Sequence, residues 1–386
     1  MNEPLAATLQ RALDRWQHFA PAAGANVTVL DGALGAWHGA SGVADVDSGE
    51  PMAPGARAYV YSITKTFTAA IALRLAERRT LDLDEPLERH LPGTGCPSGT
   101  TLRRLLNHTA GVPSYTGLPD YADAVAAAPG TPWTLDEVIG RCCRDASPDF
   151  APGTGWCYSN TGHALARRSL ESASGRPFAA LLHEEIAGPL GLDDTVDATE
   201  VGGGPDGRPL APGYDRALFG GDAPRDVVPV YHPHWCLTGL VASTTADVAR
   251  FLDRLFAGEV LAPASLAAMR GAVPCEPDDA PTPPGAFFRR PAYGLGLMID
   301  ESWPHGGFHG HGGDGPGFNT FAMHLPRFGG RALTLAVFCN TTLTHHPIRL
   351  CRILLETLSS ADPTGPVQTH AGGVAPRGEG VEAGPA

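Results

Sequence analysis

Strand-like sequence stands at the two ends of this chain with a long helical stretch between them, an arrangement that restricts the fold more than any other feature. Near the start, a β-branched run at 26–30 is followed by Asp31-Gly32 and an extended stretch at 35–43, the pattern of an antiparallel hairpin. Strand character returns at 293–299, 318–325 and 332–338, with Gly329-Gly330 as the turn between the last two. Between these blocks, Phe67, Ile71 and Leu75 recur at helical spacing among alanines, so 65–79 reads as a helix starting close to Ser62. Residues 80–230 read as mostly helical and loop-rich, with helices over 121–128, 134–144, 161–173 and 178–187. Leu9, Leu13 and Trp16 mark a first helix within 1–19, and 347–358 reads as a last one. The expectation is an α+β fold: an antiparallel sheet from 1–61 and 231–358, flanked by helices, and a mostly helical domain over 62–230. The Pro-rich, acidic stretch 272–291 is expected to be a surface loop, and the tail 359–386 to be disordered.

Composition matters at one residue type. Of 28 Lys and Arg residues, 27 are arginine, and Lys65 is the single lysine. Codon bias accounts for an arginine excess but not for the one position that stays lysine. A desolvated amine can release its proton whereas a guanidinium cannot, so Lys65 is a candidate base before any motif is considered. A net charge of −13 argues against nucleic acid or an anionic membrane as partner. The stretch 1–19 carries charges throughout, without the apolar run of a secretion signal, and no segment approaches the ~18 apolar residues of a membrane span. The eight cysteines (96, 142, 143, 157, 236, 275, 339 and 351) include no C-x-x-C pair. They are expected to be reduced thiols of a cytoplasmic protein.

Three short motifs carry chemistry. In Ser62-Ile63-Thr64-Lys65, residues three apart share a helix face, so hydroxyl and amine can exchange a proton. At a helix start, the Ser62 N–H also suits a developing oxyanion. Read alone, the same four residues fit a capping serine and a solvated lysine. Tyr158-Ser159-Asn160 offers a phenol whose pKa an ammonium can lower and an amide able to hold a substrate amide. In isolation it also reads as a turn before a helix. His311-Gly312-Gly313-Asp314 offers glycines beside a strand, where substrate backbone can approach, and a histidine that adds a donor or positive charge near the nucleophile. It is equally a glycine-rich loop with a surface histidine.

Taken in order, S-x-x-K, Y-S-N and H-G-G resemble the serine β-lactamase, DD-peptidase (penicillin-binding protein) and esterase superfamily, especially its class C-like branch. The flanking stretches Leu81-Asp82-Leu83-Asp84, 105–112 and Tyr293-Gly294-Leu295-Gly296-Leu297 match as well, and the resemblance spans roughly 20–345. It implies a β-lactamase/transpeptidase-like fold. It further implies Ser62 as nucleophile, Lys65 and Tyr158 as partners in moving its proton, and Asn160 as holder of the substrate acyl amide. His311 would line the place of the usual third-motif cation. The backbone N–H groups of Ser62 and Asp314 would form the oxyanion hole, beside Gly313. Trp235 is read as a pocket-wall aromatic or a core tryptophan, and His108 as structural. No metal or organic cofactor is implied.

The substrate is less constrained. Met298 stands where related carboxypeptidases carry a basic residue for a free carboxylate, although Arg289 or Arg290 is close in sequence. With the missing secretion signal, this favours an acyltransferase or peptide cyclase of small-molecule (antibiotic) biosynthesis, acting on acyl or peptidyl esters, thioesters or amides as thioesterases of this superfamily do. Its expected partners are a small-molecule or peptidyl acyl substrate and a carrier protein or amine acceptor. The alternative is a serine hydrolase: esterase, D-stereospecific peptidase, carboxypeptidase or weak β-lactamase. A second alternative is a non-catalytic binding or sensing protein.

Overall fold

The computed structural model describes residues 1–199, 202, 206–218, 223–276, 287–303, 306–342 and 346–361. Both ends of the chain build one antiparallel sheet. Its strands are β1 (Gly24–Asp31), β2 (Gly35–Gly42), β3 (Val273–Pro274), β4 (Ala292–Tyr293), β5 (Met298–Asp300), β6 (Phe308–Gly315), β7 (Phe318–Phe328) and β8 (Arg331–Cys339). They run in the order β2-β1-β8-β7-β6-β5-β4-β3, so the first hairpin docks on the last strand with Val27 opposite Val337.

Strand alternation sorts the two faces of this sheet. Val27, Val29, Phe321, Met323, Leu335 and Val337 point to an outer layer made by α1 (Glu3–Phe19) and α5 (His346–Ala361). Thr28, Ala322 and Ala336 share a register row on the other face, where small side chains let α4 (Thr245–Phe256) pack closely. Thr28 and Thr245 close that contact with a 3.0 Å hydrogen bond between their hydroxyls. His311 and Gly313 pair with Ala322 and Thr320, so they belong to this inner face, toward the helical half.

Two further helices matter for the site, α2 (Thr64–Glu77) and α3 (Asn160–Ser174). Phe67 of α2 stacks on Phe251 of α4 with ring centroids 4.1 Å apart. Such a pair adds ~1 kcal/mol beyond the area it buries and anchors α2. Ala58–Tyr59 and Val196–Asp197 flank Val241–Ser243 in a three-stranded sheet between the two halves. The helical middle follows its sequence periodicity, with helices at Tyr121–Ala127, Leu135–Ile139 and Phe178–Leu182; the last two continue as π-turns over Gly140–Arg144 and His183–Ala187.

Three departures have local causes. Residues 293–299 do not form one strand, because Gly294 N–H bonds Leu297 O at 2.8 Å and Gly296 adopts φ +59°. The glycine-rich 310–315 segment is not a loop but most of β6. Helix α4 has no counterpart in the expected helices although Thr244 caps it, accepting from Asp247 N–H at 3.2 Å. Part of the expected surface loop, 273–274, is instead edge strand β3, and 277–286 lie outside the described residues. The tail reading likewise begins inside α5, which runs to Ala361, and beyond that lies outside the described residues.

Candidate active site

The site begins with a strained turn. Ser62 sits in the 3₁₀ turn Tyr61–Ile63 that leads into α2. Tyr61, just before it, has φ +45°, a left-handed conformation that costs a non-glycine residue on the order of 1–3 kcal/mol. Its hydroxyl donates to Pro316 O at 2.5 Å and its ring covers Gly315, where a Cβ would lie 2.2 Å from the ring. Gly313 admits the same turn: a Cβ there would lie 2.1 Å from Val60 O. Thr320 Oγ1 donates to that carbonyl at 3.2 Å. These glycines were expected to admit substrate backbone. In the structure they let the turn that carries Ser62 lie flat on β6.

Lys65 Nζ reaches Ser62 Oγ at 2.9 Å and Asn160 Oδ1 at 2.8 Å. The lysine is 1% exposed, and burial lowers its pKa from 10.5 to about 7. A neutral amine there can donate to Asn160 and accept the Ser62 proton. Tyr158 lies alongside, its ring centroid 4.9 Å from Nζ. Burial raises the phenol pKa; a hydrogen bond with Ser62 opposes this and is outweighed. The expected lowering of the Tyr158 pKa is therefore reversed, and Lys65 is the group that becomes a base near neutrality. Acylation is expected to rise with pH through about 7 and then level, because Lys65 must be deprotonated to act. A rate flat between pH 5.5 and 8.5, followed as the acylation burst, would remove Lys65 as base.

The second motif is held from three sides. Ser159 caps α3 by accepting from Gly162 N–H at 3.0 Å, and its own N–H donates to His108 Nδ1 at 3.0 Å. His108, buried and in a left-handed conformation, packs its ring tilted against that of Tyr158, centroids 4.3 Å apart. Asn160 N–H donates to Ser114 Oγ at 3.1 Å and Asn160 Nδ2 to Thr116 Oγ1 at 3.0 Å. Sequence reading missed Ser114 and Thr116, since a hydroxyl pair in a loop has no distinguishing pattern. With Oδ1 on Lys65 and one N–H on Thr116, Asn160 retains its second N–H for a substrate carbonyl.

The third motif departs most from expectation. His311 is 1% exposed, its Nδ1–H donates to Gly312 O at 2.5 Å, and its Nε2 accepts from Tyr293 OH at 2.7 Å. Burial, then the Lys65 charge, lowers its pKa to about 3. His311 is thus neutral with both ring nitrogens engaged, and supplies neither a cation nor a spare donor to the nucleophile. Tyr293 is the partner that sets this state, 18 residues away. Asp314 is exposed and its carboxylate accepts from Asn319 Nδ2 at 2.6 Å. Trp235 is not a pocket wall: it is 2% exposed, its Nε1 donates to Pro129 O at 3.0 Å, and its ring packs on Tyr121 and Trp133. Met298 is half-buried, while Arg289 and Arg290 are exposed, with backbone N–H groups on Asp300 Oδ2 at 2.6 and 3.1 Å. Among the described residues no cluster of His, Cys, Asp and Glu is arranged to hold a metal, and no helix is long and apolar enough to cross a membrane.

Known proteins share this fold. The Beta-lactamase family pattern matches residues 14–355. A D-stereospecific amidohydrolase from Streptomyces sp. superposes with a TM-score of 0.74 at 30% identity, over 89% of this chain and 97% of that one. The D-amino acid amidase of Ochrobactrum anthropi SV3, solved with L-phenylalanine amide, gives a TM-score of 0.78 at 25% identity over 93% and 99%. Penicillin-binding protein 4* of Bacillus subtilis (strain 168) is 28% identical over 303 residues, 74% of this chain and 62% of that protein. The chain therefore spans less than two thirds of that relative.

Proposed function

The chain belongs to the Beta-lactamase family, and from that footing we propose that it is a serine amidohydrolase cleaving amides or esters of D-amino-acid derivatives. The observation that carries this reading is the contact of buried Lys65, pKa about 7, with the hydroxyl of Ser62. Neutral Lys65 takes the Ser62 proton as Oγ attacks the substrate carbonyl. The backbone N–H groups of Ser62 and Asp314 receive the oxyanion, and the Asn160 N–H orients the acyl group. The proton passes through Tyr158 to the leaving amine or alcohol, which departs to leave acyl-Ser62. Water, deprotonated by the same pair, then releases the acid and restores Ser62.

Two features narrow the substrate. The third-motif histidine is neutral and Met298 is apolar, so the site favours amides and esters over peptides ending in a free carboxylate. The D-configuration is taken from the names of the Streptomyces and Ochrobactrum relatives. Those names also favour the hydrolase alternative over the transferase or cyclase first expected.

The test is turnover of D- and L-phenylalanine amide and their p-nitroanilides, beside a D-Ala-D-Ala peptide and Ser62→Ala. The D-amide is expected to exceed its L-form by at least about tenfold, with no turnover in Ser62→Ala. Preference for the free-carboxylate peptide would overturn the substrate assignment. Product going mainly to an added amine rather than to water would restore the transferase.

A further inference from the structure

Cys96 and Cys143 stand 47 positions apart in sequence, yet their sulfurs are 3.4 Å apart. Both are nearly enclosed, at 8% and 7% exposure. Cys96 lies in the segment before the helix Leu102–Leu106, and Cys143 in the π-turn Gly140–Arg144. The approach is specific: Gly95 adopts φ +74° against Arg144, where a Cβ would lie 2.8 Å from Arg144 Cγ. Cys142, adjacent in sequence, is turned elsewhere, its thiol bonded to the Thr161 hydroxyl at the start of α3.

We propose that Cys96 and Cys143 are a redox pair that closes to a disulfide across the helical half. Bond formation needs the sulfurs to approach by only roughly 1.4 Å, a small side-chain movement. This departs from the expectation that all eight cysteines stay reduced.

The oxidant is a small-molecule disulfide of the glutathione type. The Cys96 thiolate attacks one of its sulfurs, that S–S bond breaks, and one small thiol leaves, giving a mixed disulfide on Cys96. The Cys143 thiolate then attacks Cys96 Sγ and expels the second small thiol. Two protein thiol protons end on two small thiols, and the two electrons reduce the small disulfide. Cys96 attacks first: once it is a thiolate it accepts from the Cys143 S–H, and that bond holds Cys96 below the ordinary thiol range and Cys143 above it. Once Cys96 is capped, that bond no longer holds the Cys143 proton.

The loop so closed contains His108, Ser114 and Thr116, which position Tyr158 and Asn160. Cross-linking restricts the unfolded chain without touching the reacting atoms, so the expected effect is on stability.

The test treats the folded full chain with oxidised glutathione, alkylates free thiols under denaturing conditions and digests with trypsin without reduction. Cleavage after arginine yields fragments 90–103 and 142–144. The expected result is these two joined, two hydrogens lighter than their sum apart from the alkyl group on Cys142, with Tm raised by several degrees over the reduced protein. Because Cys142 and Cys143 share a fragment, variants assign the bond. The link and the Tm rise are expected to persist in Cys142→Ser and to vanish in Cys143→Ser and, independently, in Cys96→Ser. Full alkylation of both fragments after oxidation, or a link that survives in Cys143→Ser, would overturn the proposal.

Discussion

Lys65→Arg is expected to acylate roughly a thousandfold more slowly than the parent protein, the scale of losing a general base. The substitution keeps a cationic side chain of similar length but one that does not release its proton. Guanidinium stays protonated even where burial brings an amine to about 7. The measurement is the burst of a chromogenic ester or labelling by a fluorophosphonate, with circular dichroism to confirm folding. Lys65 is 1% exposed and the guanidinium is bulkier than an ammonium, so Lys65→Ala accompanies it to separate packing from proton transfer. Partial recovery of Lys65→Ala by added small amines is expected, since they can refill the space and take the proton. Acylation at the parent rate in Lys65→Arg would exclude Lys65 from proton transfer.

The second large effect comes from Gly313, which packs beneath the turn that carries Ser62. Gly313→Ala is expected to abolish most turnover and to destabilise by ~1–3 kcal/mol, the range for overpacking. The added methyl would meet Val60 O at 2.1 Å and Thr320 Oγ1 at 2.3 Å, and a backbone carbonyl in a strained turn cannot yield without moving Ser62. Gly312→Ala is the contrast. Its methyl would meet the Phe321 ring at 3.2 Å on the opposite sheet face, where a side chain can shift. Turnover within a few-fold of the parent is expected there. Thermal melts and amide hydrolysis on both variants decide the matter: parent-like turnover in Gly313→Ala would show that β6 does not set the nucleophile turn.

The two glycines also show how far sequence reading reaches. Alternation along a strand is carried by adjacent residues, so the β1–β2 hairpin and the strands β7 and β8 were legible. Helical spacing likewise marked α2, and the i to i+3 relation of Ser62 and Lys65 makes their contact a property of one turn of chain. The order of the three motifs and the uniqueness of Lys65 pointed to Ser62, Lys65, Tyr158 and Asn160, side chains that the fold brings together. Strand 293–299 failed because Gly294 N–H closes a turn onto Leu297 O and Gly296 takes φ +59°, close against Lys65 O where a Cβ would lie 2.3 Å away.

What the folded arrangement alone decided are the states of those groups. Lys65 is a usable base because burial withdraws the water that would hold its charge. His311 is neutral because folding brings Tyr293 and Gly312 O to its two nitrogens and removes solvent. Trp235 became core because Tyr121 and Trp133 pack on it. Residue type and local spacing are written into consecutive positions, whereas protonation and burial depend on neighbours that only long-range packing supplies.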